Sequence, residues 1–445
     1  MNKHTIDTVL QLRVRHRPGN LARIAQAIAN EGGLIGEVRT LSMGEEVVVR
    51  EVTIETDDDR HTERVVGAVR KLQEVELQSV TDAVFEFHKG GKLQQKSKLQ
   101  LTQIRDLRKI YTPGVARVAN AIVADPEVAW ELTGIGNSVG IFTNGTRVLG
   151  LGDIGNVAAL PVMEGKAVLY EQLAGISATP ILVDTKDPQT FIETVVRIAP
   201  TFGGIHLEDI RSPDCYVIEE ELRRRLKKPV MHDDQHGTAT VALAAAMNAA
   251  NLAGLDLRNV RVGQLGLGAA GSAIAKLIHA YGVKEMLVFD PSEAAVARVM
   301  GPGFRSLSLE ALLREADIVI ATTGRAGLIS PSMVRPGQVI LALSNPEPEI
   351  APADALNAGA KFAADGRSIN NALAFPGLFR GALLARTRTI STEMMLEAAR
   401  VIALQASPGD LVPNPLDRSI HVRVAEAVRA KAESLGLANT IRLSG

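Results

Sequence analysis

Val260-Arg261-Val262-Gly263-Gln264-Leu265-Gly266-Leu267-Gly268-Ala269-Ala270-Gly271 decides the fold class of this 445-residue chain. A short apolar strand runs straight into a full G-x-G-x-x-G. The spacing of Ile274, Leu277 and Ile278 predicts an amphipathic helix behind it. Met286-Leu287-Val288-Phe289 then predicts a second strand, ending at Asp290. Strand, glycine turn, helix and a strand with an acidic tip make a βαβ unit suited to a dinucleotide. Glycines let backbone N–H groups approach a pyrophosphate, and the helix N-terminus adds about half a positive charge beneath it. Gly266, Gly268, Ala269, Ala270 and Gly271 are therefore candidate cofactor-binding positions. Asp290 is placed to accept hydrogen bonds from the ribose hydroxyls and to repel a 2′-phosphate, which favours NAD over NADP. Ile318-Val319-Ile320-Ala321 runs into Thr322-Thr323-Gly324, and Val339-Ile340-Leu341-Ala342-Leu343 into Ser344-Asn345-Pro346. Both read as further strand ends facing the same crevice.

Outward from this unit, strand-like runs alternate with Ala-rich helical stretches from about residue 101 to the C-terminus, the pattern of α/β domains with largely parallel sheets. A hydrophobic fraction of 46% with 22% charged residues excludes a wholly disordered chain. The net charge of −1 speaks against nonspecific nucleic-acid binding, which needs surplus Lys and Arg. No apolar run approaches the ~20 residues that cross a bilayer. The start, Met1-Asn2-Lys3-His4-Thr5, has no signal-peptide core. One cysteine, Cys215, excludes an internal disulfide framework and Cys-clustered metal sites. The expectation is a cytoplasmic, multidomain protein with no membrane or nucleic-acid partner.

The N-terminal residues 5–88 read as a separate α+β module. Val9-Leu10-Gln11-Leu12-Arg13-Val14 alternates as a strand, and Arg17-Pro18-Gly19-Asn20 breaks it. Leu21, Ile24, Ala25, Ile28 and Ala29 predict a helix ended by Gly32-Gly33. A strand over 46–54, a helix over 64–70 and a closing strand over Ala83-Val84-Phe85-Glu86-Phe87 complete a ferredoxin-like order. Residues 89–100, basic and Gly-containing, read as a linker.

Two acidic pairs, Glu208-Asp209 and Asp233-Asp234, each follow an apolar or Gly-bearing approach. Neighbours on a regular strand point to opposite faces, so two adjacent carboxylates converge only where the chain bends at a strand end. Several carboxylates in one pocket repel unless a hard divalent cation neutralises them, and oxygen ligation suits Mg²⁺ or Mn²⁺. Tyr111 stands in a Pro-Gly turn, and Lys166 opens an apolar helix after Glu164-Gly165.

Tyr111-Thr112-Pro113-Gly114-Val115-Ala116, Gly150-Leu151-Gly152-Asp153-Ile154-Gly155, Glu164-Gly165-Lys166-Ala167, Leu207-Glu208-Asp209-Ile210 and His232-Asp233-Asp234-Gln235-His236-Gly237-Thr238-Ala239, in this order, resemble the malic enzymes, especially the short bacterial NAD-dependent form. Pro18-Gly19-Asn20-Leu21 with Gly32-Gly33 resembles an ACT domain, a small regulatory module that binds amino acids or related molecules. The resemblance implies an ACT-like domain over 5–88, a substrate domain over 101–235 completed by helices in 373–445, and a Rossmann-type NAD domain over 236–372. It implies oxidative decarboxylation of L-malate to pyruvate and CO₂ with NAD⁺ or NADP⁺ reduced, NAD⁺ favoured by Asp290, and a divalent metal, Mg²⁺ or Mn²⁺, required. It further implies a homodimer or higher homo-oligomer, and a small-molecule effector at the ACT-like module that shifts malate affinity by the ~1–3 kcal/mol typical of allosteric coupling.

Carried over residue by residue, Lys166 is the base for the C2 hydroxyl, Tyr111 the acid that protonates C3, and Asp233 the neighbour that tunes the base. Glu208, Asp209 and Asp234 match the metal ligands. Arg147, Asn345 and Asn371 match substrate-site residues. Thr238, Thr323 and Asn345 join the glycine loop at the cofactor. A free lysine, with pKa ~10.4, is a poor base at neutral pH, so burial and the cation are expected to depress Lys166. The segment Gly366-Arg367-Ser368-Ile369-Asn370-Asn371 is shorter than the family's, so its loop differs. The same groups could instead convert malate to lactate, and a catalytically silent small-molecule sensor is the reading from another class.

Overall fold

The computed structural model describes residues 6–148 and 150–439. Thr5 and residues 440–445, which the domain boundaries above include, lie outside the described residues, as does the Met1–Thr5 start. The chain divides into two compact units, with the division at Gln94/Gln95 inside the expected linker.

In the first unit the elements run β1 (Ile6–Arg15), α1 (Asn20–Asn30), β2 (Leu34–Met43), β3 (Val47–Thr56), α2 (Asp59–Arg70), β4 (Val75–Asp82) and α3 (Ala83–His88). The sheet is antiparallel in the order β2-β3-β1-β4. Leu10, Leu12 and Val14 alternate toward one face of β1, where Ile24 and Ile28 of α1 and Val65 and Val69 of α2 cover them. Gly19, at φ 89°, gives α1 its left-handed entry. The expectation for Ala83–Phe87 fails, because that stretch is helical. The Asp82 carboxylate accepts from the backbone N–H groups of Val84 and Phe85 and starts α3, while Val75–Asp82 holds the place beside β1. Strand β2 escapes the alternation rule because all ten of its residues are exposed.

The second unit opens with α4 (Ile104–Ile110), α5 (Val115–Ala124) and α6 (Ala129–Leu132). A parallel sheet follows, built from β5 (Ser138–Thr143), α7 (Asn156–Ala174), β6 (Ser177–Leu182), α8 (Pro188–Ile198), β7 (Gly204–Leu207), α9 (Asp214–Arg225) and β8 (Val230–His232), in the strand order β6-β5-β7-β8. The long helix α10 (Asp233–Leu252) leads on to a second parallel sheet. Its elements are β9 (Arg261–Leu265), α11 (Ala269–Tyr281), β10 (Glu285–Phe289), α12 (Glu293–Val299), β11 (Phe304–Ser306), α13 (Leu309–Glu315), β12 (Ile318–Ala321), β13 (Val339–Ala342), α14 (Pro352–Asn357) and β14 (Phe362–Asp365). Helices α15 (Phe375–Leu384), α16 (Thr392–Leu404) and α17 (Arg418–Ser434) close the chain.

The six strands lie in the order β11-β10-β9-β12-β13-β14, so strand order reverses between β9 and β12. The smaller sheet reverses between β5 and β7. Chain crossovers leave on opposite faces at such points, and a crevice opens at the carboxyl ends of the strands. Strands β12 and β13 are wholly buried and read as unbroken apolar runs, because helices cover both faces. The boundary read at residues 235/236 falls within the first turn of α10, whose Ala-rich run 242–246 is buried against α11 and α16. Small side chains permit that close approach. Helices α15 and α17 pack on α7.

Candidate active site

Three strand ends of the smaller sheet meet at one place. Glu208 and Asp209 follow β7, Asp233 and Asp234 follow β8 as the first residues of α10, and Arg147 lies beyond β5. Asp209 takes a φ of 54°, a left-handed bend that only local bonding makes tolerable for a residue with a Cβ. Its carbonyl accepts from Arg147 N at 3.0 Å, and its own N–H donates to Asp234 Oδ2 at 3.1 Å. The bend brings adjacent carboxylates together, and ligand atoms of Glu208, Asp209 and Asp234 lie within 4.8 Å of one another.

Lys166 enters this cluster from the middle of α7, and the expectation that it opens a helix is corrected here. The helix begins ten residues earlier, at Asn156, and carries Pro161 inside. Pro161 has no N–H to donate toward Val157 four residues back, and Val157 is exposed. Lys166 Nζ lies 2.5 Å from Asp233 Oδ2, 3.2 Å from Glu208 Oε1 and 4.6 Å above the Phe375 ring. Burial pushes Asp209 up to about 8, with Glu208 and Asp234 adding to it. Burial likewise pushes Glu208 up to about 7 and Asp233 up to about 6, against the pull of Lys166. For Lys166 burial by itself does not produce a depression. Burial disfavours its charge, but the Asp233 and Glu208 carboxylates outweigh burial and hold the ammonium above its ordinary value.

The arrangement fits a hard divalent cation. Asp209 Oδ2 and Asp233 Oδ1 are buried and accept no hydrogen bond among the described residues. Four carboxylates face a single lysine, a surplus of negative charge that a cation ligated by oxygen would balance.

Behind the cluster stands a layer that sequence reasoning missed. His206, two residues before Glu208 and so on the same face of β7, lies with Nε2 2.5 Å from Glu208 Oε2 and Nδ1 2.8 Å from the Tyr170 hydroxyl. Glu219 of α9 is buried and accepts from His232 N, Gln235 Nε2 and His236 Nε2. Those donors hold its carboxyl below the usual range despite burial. Strand parity could have pointed to His206. No sequence signal marks Tyr170 or Glu219.

The dinucleotide site is shaped by absent side chains. Gly266 has φ 83°, and a Cβ on Gly271 would come 1.9 Å from the Gly266 carbonyl oxygen. A Cβ on Gly268 would meet nothing within 4 Å, which leaves the backbone there open to a ligand. Ala269 and Ala270 form the first turn of α11. Asp290 stands at the end of β10, where Oδ2 accepts from Leu267 N at 2.7 Å and Oδ1 from Ser292 N at 2.8 Å. It therefore ties the glycine loop to the neighbouring strand. The loops after β12 and β13 are joined by buried Glu349, whose Oε1 accepts from Thr323 N at 2.6 Å and Ser344 Oγ at 2.5 Å. Thr238 is half-buried in the second turn of α10, Asn345 is exposed beside Gly366, and Asn371 is half-buried in a short turn.

Tyr111 is the residue that the fold does not bring in. It caps the C-terminus of α4 and is 66% exposed, whereas Lys166 is buried. Helices α4 and α5 bury none of their residues, and Leu101, Ile104, Leu107 and Val123 face outward with Tyr111.

Comparison with known proteins finds matches in four segments of the chain. Residues 2–77 match the ACT domain, 91–190 the malic enzyme N-terminal domain, 230–326 the NAD-binding domain of D-isomer-specific 2-hydroxyacid dehydrogenases, and 351–432 the malic enzyme NAD-binding domain. NAD-dependent malic enzyme 1 of Bacillus subtilis is 52% identical over 97% of this chain and 98% of its own length. The bifunctional malic/malolactic enzyme of the same organism is 41% identical over 81% of this chain and 95% of its own. The crystal structure of malic enzyme from Pyrococcus horikoshii, 38% identical, superposes with a TM-score of 0.76 over 81% of this chain and 92% of that one. With a relative this similar along almost its whole length, and with two of the five motifs at the ends of β7 and β8, the chain belongs to the malic enzyme family.

Proposed function

We propose that this protein oxidises L-malate to pyruvate and CO₂ with NAD⁺ as acceptor. The observation that carries the reading is the buried cluster of Lys166 with Asp233 and with the three mutually close carboxylates Glu208, Asp209 and Asp234. Lys166, in its unprotonated form, takes the C2 hydroxyl proton as hydride leaves C2, and Asp233 holds the amine in position. Arg147 at the end of β5 pairs with a malate carboxylate, and Asn345 and Asn371 supply amide contacts to the substrate. Glu208, Asp209 and Asp234 would hold Mg²⁺ or Mn²⁺, which supplies Lewis-acid polarisation of the C2 oxygen and makes loss of CO₂ feasible. Gly266, Gly268, Ala269, Ala270, Gly271, Thr238, Thr323 and Asn345 would hold NAD, which would supply the hydride acceptor. Asp290 favours NAD⁺ over NADP⁺ by its charge at the ribose.

Tyr111 returns the proton to C3 of enolpyruvate. Its exposure, together with the uncovered apolar side chains of α4 and α5, supports a homodimer or larger homo-oligomer in which this face is covered. The ACT-like unit binds a small effector near Gly19-Asn20 and Gly32 and adjusts malate affinity. A single cysteine fits the reducing cytoplasm.

The test is malate-dependent NADH formation with Mn²⁺, with products identified. Pyruvate and NADH in equal amounts support the reading, whereas lactate without net NADH indicates the malolactic reaction. Binding of malate with no turnover would leave the sensor. A higher kcat/KM with NADP⁺ than with NAD⁺ would overturn the role of Asp290. Effector-insensitive kinetics in a Gly32→Val variant and the parent alike would remove the regulatory role.

A further inference from the structure

We infer that Tyr170 and His206 are positioning residues that fix the orientation of Glu208 at the cation site. The inference rests on the reading of Glu208 as a metal ligand, and its core is a hydrogen-bonded line Tyr170–His206–Glu208 that runs from α7 through β7 into the cluster.

Donor and acceptor accounting sets the direction of that line. A carboxylate that ligates a cation can only accept hydrogen bonds, so His206 Nε2 must donate to Glu208 Oε2. The Tyr170 hydroxyl is buried, and the partner the structure gives it is His206 Nδ1 at 2.8 Å. A buried O–H without an acceptor is costly, so the phenol donates and Nδ1 accepts. The imidazole is thereby held as its Nε2–H tautomer.

The rings cannot turn away from this arrangement. Tyr170 lies edge-on to Phe375 with centroids 4.8 Å apart and to Phe379 at 5.8 Å, and His206 meets the same two rings at 5.5 and 5.8 Å. Both phenylalanines belong to α15, so the C-terminal helices clamp the pair against the sheet. With Oε2 engaged behind it, Glu208 keeps Oε1 facing Lys166 at 3.2 Å. One oxygen is thus committed to the protein and the other is left to the site, the arrangement by which an outer hydrogen-bond partner sets how a ligand is presented.

Mn²⁺ affinity, read from the electron paramagnetic resonance signal of free ion in the absence of malate and NAD, tests this directly. His206→Leu, which removes the donor at similar volume, should weaken Mn²⁺ binding about 10–100-fold. Tyr170→Phe should weaken it less, because the ring stays but the tautomer is released. His206→Gln, which can place an amide N–H near the Nε2 position, should restore affinity to within about threefold of the parent. If Tyr170→Phe and His206→Gln lower the metal-free melting temperature while Mn²⁺ affinity in all three variants equals that of the parent, the pair is merely structural and the inference fails. Glu208→Gln separates the two levels. If that variant also binds Mn²⁺ like the parent, the failure lies in the reading of Glu208 as a ligand.

Discussion

The two strand-end sites of the second unit solve opposite problems. At β7 and β8 the chain gathers charge: Lys166, Glu208, Asp209 and Asp233 are all buried, and bends and hydrogen bonds hold the side chains against their mutual repulsion. At β9 and β10 the chain removes bulk: Gly266 and Gly271 let the loop close on the Thr322 and Gly266 carbonyls, and Gly268 leaves its backbone open. The first kind of site stores unfavourable electrostatics that a cation and substrate can relieve. The second is preformed and close to neutral, with Asp290 as its acidic mark. Substitutions should therefore separate them, with chemistry lost at one and cofactor binding lost at the other.

The largest effect is expected for Lys166→Ala. Removing a positioned base should lower kcat about 10²–10⁴-fold while NAD binding persists, measured by steady-state kinetics and nucleotide fluorescence titration. Turnover close to the parent would break the division at its catalytic half. Gly271→Ala is the mirror experiment. Its Cβ would fall 1.9 Å from the Gly266 carbonyl, so the loop must shift. Overpacking of about 1–3 kcal/mol should show in the melting temperature, and NAD binding should be lost while Mn²⁺ binding is kept. Loss of both would mean that the two sites are not separable.

Glu349→Leu sharpens the contrast further. It strips acceptors from Thr323 N and Ser344 Oγ, at about 1–3 kcal/mol, and should raise KM for NAD with little change in Mn²⁺ affinity. The smallest expected signal comes from Cys215 on α9. Burial first, then Glu219 and Asp234, push its thiol up to about 12, so at pH 8 it stays protonated. Thiol reagents should label the native protein only on unfolding; rapid labelling at pH 8 would mean that the charged site's surroundings are open to solvent.

How much of this was legible in the sequence follows from the same physics. The glycine loop could be read because backbone geometry dictates residue type locally, and strand, turn and helix sit within a dozen residues. The acidic pairs could be read because adjacent carboxylates imply a bend, which the φ of Asp209 supplies. The Tyr170–His206 line and the Glu349 brace could not, since each joins residues from separate elements whose contact only the packed fold creates. Lys166 was misplaced on its helix because Glu164-Gly165 reads as the approach to a helix although the helix already runs through it from Asn156. Its titration could not be read either, for a related reason. A motif names the neighbours of a lysine, but not the balance between burial and the two carboxylates that touch it. The strand expected over 83–87 failed because a single capping aspartate, Asp82, outweighed the apolar residues that follow it.

The central claim is that one divalent cation sits on Glu208, Asp209 and Asp234 beside Lys166. Anomalous diffraction from crystals soaked in Mn²⁺ tests it most directly. The account predicts a single strong peak within about 2.5 Å of oxygens from all three carboxylates. A soaked crystal with no anomalous density there, or with the ion bound elsewhere in the unit, would contradict it.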